Sequence, residues 1–348
     1  MIGTMTRRRR TALTGALCAA LAVLAAPAAG GQSGTVLWQG PTPDDRSAIA
    51  AVAGKPLRIV LEAVGTGEEV RIRVSPKPAG AVLTETGTAP TRAVFAWTPR
   101  RSQVGDRTLV FTAGPGTTAA ARLRVYVHVG RRAGATFRIS NGSLDGRSHS
   151  AVLLRPVLAK ARPSEDARVV ARLSAVTPEQ VRHVLYLSDG RIDPRTGAYW
   201  LRVPLPKLPN GSMGWIPRTA VGEFSSVDTH LVIERARLRA TLYKRGRAVF
   251  RSIVGVGEPR WPTPAGRFYV RERLTGFTDP IYGSLAYGTN GRSAVLTDWP
   301  GGGFIGIHGT NQPEILPGRV SHGCVRLPNP SIRRLDRLMR VGTPVTIR

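Results

Sequence analysis

Cysteine is almost missing from this chain: its 348 residues hold two, Cys18 and Cys324. Cys18 lies in an apolar N-terminal stretch that an exported protein would lose, which would leave one thiol and no possible intramolecular disulfide. A single cysteine in an exported protein reads as a reactive thiol. Acidic residues are also few, 22 against 50 lysines and arginines, for a formal net charge of +28. So basic a chain invites a nucleic-acid reading. Aromatic residues, however, make up only 6% of the chain, and the arginines are spread along strands and loops rather than clustered among rings. We therefore expect no nucleic-acid partner. The anionic cell wall, with its carboxylates and phosphates, fits an exported protein better, although a general preference for arginine would raise the same count. A long apolar run is missing as well. The N-terminal one, residues 11–25, falls short of the ~20 residues that span a bilayer.

What the N-terminus does contain is an export pattern. Arg7-Arg8-Arg9-Arg10 precedes the apolar stretch, and Ala26-Pro27-Ala28 supplies small residues for cleavage. Residues 1–28 are expected to be a signal peptide, with a membrane contact only if that segment stays uncleaved. They hold four arginines and no acid, so their loss leaves a net charge of +24. The expected location is the extracytoplasmic cell wall.

The remaining length suggests two or three domains. From Thr35 onward apolar residues alternate with polar ones: Val70, Ile72 and Val74 with Arg71 and Arg73, and later Leu123, Val125, Val127 and Val129 with Arg122, Arg124, Tyr126 and His128. A period of two is the mark of half-buried strands, and it puts His128 on the solvated side. The runs Phe95-Ala96-Trp97-Thr98-Pro99 and Gln103-Val104-Gly105-Asp106 resemble the immunoglobulin-like modules of surface proteins. An immunoglobulin-like β-sandwich over residues 35–130 is expected, acting as a spacer or wall contact. Residues 131–150, rich in glycine and serine, read as a linker with His149 exposed. Residues 151–222 read as a small β unit that resembles SH3-like modules, with a hairpin at Pro209-Asn210-Gly211. In it, Thr177-Pro178-Glu179-Gln180 predicts a short helix to about Leu185.

Residues 227–348 carry more strands, a long loop over 275–303 expected to cover a cleft, and a C-terminal helix. That helix is predicted to start with Asn329 as cap and Pro330 at its first position, to bury Ile332, Leu335, Leu338 and Met339, and to stop at Gly342. The fold class is mainly β and multidomain.

Chemistry concentrates around Cys324. A nucleophilic thiol needs a base or a lowered pKa, and an imidazole supplies either. Two are on offer, His322 two residues away and His308 from a separate segment. Gly323, directly before the cysteine, frees the backbone to aim N–H groups at one point, as an oxyanion hole requires. Arg326, two residues beyond, offers a forked cation to a substrate carboxylate.

His308, followed after twelve residues by Ser321-His322-Gly323-Cys324-Val325-Arg326-Leu327-Pro328-Asn329, resembles the signature of the L,D-transpeptidase (YkuD-type) catalytic domain. Thr263-Pro264-Ala265-Gly266-Arg267-Phe268 resembles a second element of that family. The resemblance covers about a third of the chain. It implies that Cys324 is the acyl-accepting nucleophile, His308 its general base, and Gly309 the residue whose carbonyl orients His308. It further implies oxyanion-hole amides from His322, Gly323 and Cys324, and a pocket shaped by Ser321 and Arg326. The implied partners are peptidoglycan stem peptides, donor and acceptor, joined by 3→3 crosslinks through a thioester, and carbapenem-type lactams are implied to acylate the thiol.

Three other readings compete. Water as acceptor would make an L,D-carboxypeptidase. A zinc site on His308, His322 and Cys324 is disfavoured by the one-residue gap between the last two and by the lack of an acidic neighbour, so neither metal nor cofactor is expected. A non-enzymatic cell-wall-binding protein with an inert thiol leaves the flanking histidines, glycine and arginine without a purpose.

Overall fold

The structure, a computed structural model, describes residues 35–348 apart from 67–68, 88–89, 133, 194–195 and 297–302. The expected signal peptide, with Cys18, lies outside the described residues. No described helix is long and apolar enough to cross a membrane.

Eight strands open the described chain: β1 (Val36–Trp38), β2 (Ser47–Val52), β3 (Leu57–Gly65), β4 (Val70–Ser75), β5 (Ala81–Thr86), β6 (Thr91–Trp97), β7 (Gly105–Pro115) and β8 (Ala121–Gly130). They form two sheets, ordered β1-β3-β6-β5 and β2-β8-β7-β4. Their alternating apolar residues face a shared core around Phe95, Trp97, Leu109, Phe111 and Val125. Phe95 and Phe111 meet edge to face at 5.6 Å there. This is a two-sheet sandwich.

A middle unit follows, built from β9 (Thr136–Arg138), β10 (Ser148–Val152), β11 (Val157–Lys160), β12 (Val169–Leu173), β13 (Val184–Leu187), β14 (Asp189–Ile192), β15 (Tyr199–Pro204), β16 (Met213–Pro217) and β17 (Ser225–Val227). Its sheets run β12-β11-β16-β15-β14-β9 and β13-β10-β17. Residues 131–150 are therefore not a plain linker. Phe137 of β9 lies over Gly190 of β14, where a Cβ would collide with its ring, and stacks on His128 at 3.3 Å. That cover also overturns the solvated reading of His128, which is buried with Nδ1 3.1 Å from Asp106. His149, expected to be exposed, is half-buried on β10.

The helix predicted from Thr177 does not form. The Thr177 hydroxyl is buried without a partner instead of capping. Gln180 takes φ +60, and the Thr177 N–H donates to the Val181 carbonyl, so the segment turns tightly and enters β13. The Asn-Gly hairpin forms as expected between β15 and β16, with Gly211 at φ +85. The left-handed region there suits a residue without a Cβ.

The last unit is one ten-stranded sheet, ordered β20-β19-β18-β27-β22-β23-β24-β26-β21-β25. Its strands are β18 (Thr229–Glu234), β19 (Arg239–Lys244), β20 (Arg247–Ile253), β21 (Gly255–Gly257), β22 (Gly266–Leu274), β23 (Ala286–Arg292), β24 (Phe304–His308), β25 (Gly318–Ser321), β26 (Val325–Arg326) and β27 (Pro344–Ile347). The helix α1 (Asn329–Asp336) buries Ile332 and Leu335, and Met339 beyond its end, in the same core as Leu231, Ile233 and Val345. Each such side chain contributes roughly 1.5–3 kcal/mol on leaving water. A polar clamp fixes its direction: Asp336 accepts from Arg273 Nε at 2.6 Å and from the Tyr287 hydroxyl at 2.6 Å. His230 sits 2.8 Å from Thr346 Oγ1 across the β18/β27 pairing.

Candidate active site

Strand pairing brings the predicted residues together. β24 runs parallel to β26 with Ile307 opposite Val325 and His308 opposite Arg326. One step back along that register Gly306 adjoins Cys324, and its N–H donates to the sulfur at 3.3 Å. Because side chains alternate, Gly306 and His308 share a face with Cys324 and Arg326. Gly306 matters for what it lacks. A Cβ there would stand 3.5 Å from Cys324 Sγ and 3.7 Å from His308 Cδ2. Thiol and imidazole thus flank a bare α-carbon.

The cysteine sits at the end of a glycine turn held from both sides. Gly323 takes φ +113, a region that side chains rarely adopt. Its carbonyl accepts from Thr263 Oγ1 at 2.8 Å, and Thr263 accepts the Gly257 N–H at 2.8 Å. The Ser321 hydroxyl donates to the Cys324 carbonyl at 2.6 Å and accepts the Gly323 N–H at 3.2 Å. Ser321 therefore lines the cleft while its hydroxyl closes the turn. The Gly323 amide, expected in the oxyanion hole, is taken by that hydroxyl.

His308 is buried, with Nδ1 2.6 Å from the Gly309 carbonyl. An oxygen acceptor at that distance fixes the proton on Nδ1 and leaves the Nε2 lone pair facing outward. Burial, with the Arg326 cation adding to it, pushes the imidazole down to about 4, against the opposing pull of Gly309. Burial also pushes the Cys324 thiol up, partly offset by the Gly306 N–H and by Arg326. Desolvation disfavours both charges, so the resting pair is a neutral thiol beside a neutral imidazole.

Arg326 lines the cleft, is only 6% exposed, and pairs with no carboxylate among the described residues; its Nε has no hydrogen-bond partner. A buried guanidinium without a counter-ion is able to receive an anion. His322 turns its ring onto Trp261 at 4.0 Å, with Arg260 over the other ring of that stack at 3.7 Å. Of the two candidate bases, His308 is the one aligned with the sulfur. Among the described residues no group of three or more His, Cys, Asp or Glu side chains is placed to hold a metal ion.

Asn329 does not cap α1. Its Oδ1 accepts the Ser284 N–H at 3.2 Å and its Nδ2 donates to the Thr310 carbonyl at 2.9 Å, so it ties together the segments on either side of Gly309. A Cβ on Gly309 would strike Asn329. The stretch 275–303 is not one loop either, since β23 occupies its middle. Ile281 and Tyr282 on one side of that strand, and Ser293, Leu296 and Gly303 on the other, line the cleft with Phe304. Tyr282 meets His308 at 5.2 Å.

The sequence reading missed Gly306, Tyr282 and Trp261 as neighbours of the site. A lone glycine inside the apolar run Phe304-Ile305-Gly306-Ile307-His308 was a usable sign of close approach.

Residues 228–347 match the family model of the L,D-transpeptidase catalytic domain. YkuD of Bacillus subtilis (strain 168), named as a candidate L,D-transpeptidase, is 28% identical over 122 residues, 35% of this chain and 67% of that protein. YkuD of Bacillus licheniformis, named likewise, is 31% identical over 106 residues, 30% of this chain and 57% of that one. A crystal structure of a cysteine-to-serine mutant of Enterococcus faecium L,D-transpeptidase shares 27% identity over 35% of this chain and 50% of its own, at a TM-score of 0.27. The chain thus spans between half and about two thirds of the length of these relatives.

Proposed function

This chain carries an L,D-transpeptidase catalytic domain at residues 228–347, and from that premise we propose a cysteine acyltransferase that forms 3→3 peptidoglycan crosslinks through a thioester on Cys324. The observation that supports it is the placement of Cys324 Sγ and His308 on either side of Gly306, in a cleft lined by an unpaired Arg326.

The neutral resting pair suggests how the step runs. As sulfur attacks the amide carbonyl after the third stem residue, its proton passes to His308 Nε2. The oxyanion rests on the amides of His322 and Cys324, with the Gly323 N–H held by Ser321. The imidazolium gives its proton to the departing D-alanine as the C–N bond breaks, leaving the thioester. An acceptor amine then attacks, His308 takes its proton, the C–S bond breaks and the thiol returns. The Gly309 carbonyl stabilises the transient imidazolium, replacing a carboxylate. Arg326 receives a substrate carboxylate.

The sandwich and middle unit are accessory modules in this reading, holding the domain toward an anionic wall after export. The test is to incubate the mature protein with a tetrapeptide muropeptide and read the products by mass. Loss of D-alanine with formation of 3→3 dimers is expected. Tripeptide monomers alone would make water the acceptor and the protein an L,D-carboxypeptidase, and no product would return it to a wall-binding protein.

A further inference from the structure

A second charged group lies on the same face of the sheet as the thiol. Glu272, Gly288 and Gly306 pair in one row across β22, β23 and β24, and Gly306 adjoins Cys324. Because Gly288 has no Cβ, the Glu272 carboxylate lies over it and meets Arg271, which is bulged out of register beside it. Arg271 and Glu272 are 1% and 2% exposed. The third member comes from the middle unit: Glu179, on the tight turn before β13, accepts from Arg271 Nη2 at 3.0 Å.

This group acts on one ring. The Arg271 guanidinium lies 4.1 Å from the centre of Phe304 and that of Arg292 lies 4.7 Å from it. Arg292 is itself gripped by the middle unit. Asn210, on the β15/β16 hairpin loop, accepts the Arg292 N–H at 2.9 Å and donates to the Arg292 carbonyl at 2.8 Å. Phe304 is a wall of the cleft and the first residue of β24, the strand that carries Gly306 and His308.

We propose that Glu179 and Asn210 are positioning residues of the cleft, which set Phe304 through Arg271 and Arg292 and so make the middle unit part of the catalytic apparatus. The proposal rests on reading Cys324 as the acylated nucleophile. Without the Glu179 carboxylate the buried Arg271 guanidinium keeps only Glu272 as an anionic partner, which is costly at a buried site and loosens its seat over the Phe304 ring. A stem peptide lying along Phe304 would then meet a displaced wall. Two separate tips of one unit converge on the same aromatic, which a merely adhesive interface does not require.

The test compares two thiol reagents on the mature full chain, read by intact mass. A carbapenem must enter the cleft in a donor-like pose, whereas iodoacetamide needs only the sulfur. In Glu179→Gln and in Asn210→Ala, carbapenem acylation is expected to slow on the order of tenfold, because a displaced wall misplaces the reacting carbonyl. Iodoacetamide alkylation should be unchanged, and Glu165→Gln, an exposed acid on the same unit, should match the unsubstituted protein with both reagents. Adding Phe304→Leu to either variant should bring little further loss. Unchanged carbapenem rates would overturn the proposal, and so would equal slowing with both reagents alongside a lower melting temperature. Should Glu179→Gln fail to fold, Asn210→Ala decides by the same criteria. An unsubstituted protein that takes no carbapenem at all would withdraw the Cys324 reading itself, and the proposal with it.

Discussion

At the scale of single residues, the site depends on an absence. Gly306 leaves a gap that a methyl group would fill at ordinary contact distance from both the sulfur and the imidazole. Gly306→Ala should therefore fold normally and react poorly. Carbapenem acylation is expected to fall by roughly 10- to 100-fold from a small misplacement of the reacting groups, with the melting temperature retained; an unaffected rate would show that the gap has no role. His308→Asn removes the proton acceptor and should lower acylation by about 10²–10⁴-fold. The proposed nucleophile and base were legible in the sequence because chemistry restricts them: few side chains serve in either role, and Cys324 and His308 lie 16 positions apart, directly before β26 and at the end of the adjoining β24. Gly306 was harder to find. Its reason for being glycine is a contact between two strands that no local pattern records.

At the scale of elements, the turn before Cys324 is fastened by two hydroxyls, those of Ser321 and Thr263. Thr263 bridges the Gly257 N–H and the Gly323 carbonyl and is 1% exposed. Thr263→Val keeps the shape and strands both buried groups, so destabilisation of about 1–3 kcal/mol is expected by denaturant titration, with Thr263→Ser restoring most of it. A strand with a clean alternation, such as β4, could be read directly, since one face was buried and the other wet; β8 alternates in sequence as well, but the middle unit covers His128 on its second face. The segment at Thr177 misled because its capping pattern is local, whereas its structure follows from the burial of Thr177 and the reach of Glu179 to Arg271. The same holds for residues 131–150, whose glycines and serines read as a linker until Phe137 finds Gly190 and His128. Asn329 has the composition of a cap and acts as a bridge.

For the whole molecule, buried imidazoles govern the response to acid. His308 is held at about 4 in the folded protein, against about 6.5 when unfolded. Between those values the unfolded chain binds a proton that the folded one refuses, so this part of the stability is complete above pH 6.5 and is lost as pH falls toward 4. Burial lowers His149, His183 and His230 in the same direction. Arg239 and Arg273 hold Glu234 and Asp336 below the usual carboxylate range, so their contribution disappears only at still lower pH. The melting temperature should thus decline steadily below pH 6.5, less steeply in His308→Asn. A flat profile down to pH 4 would contradict this account of the buried histidines.

The most direct measurement is the intact mass of the mature protein after incubation with a carbapenem, set beside Cys324→Ala. One lactam added to the unsubstituted chain, none to the variant, and the added mass on the peptide that contains residue 324 is the result expected. An unmodified protein, or equal labelling of both, would contradict the assignment of Cys324 as an acyl-accepting nucleophile.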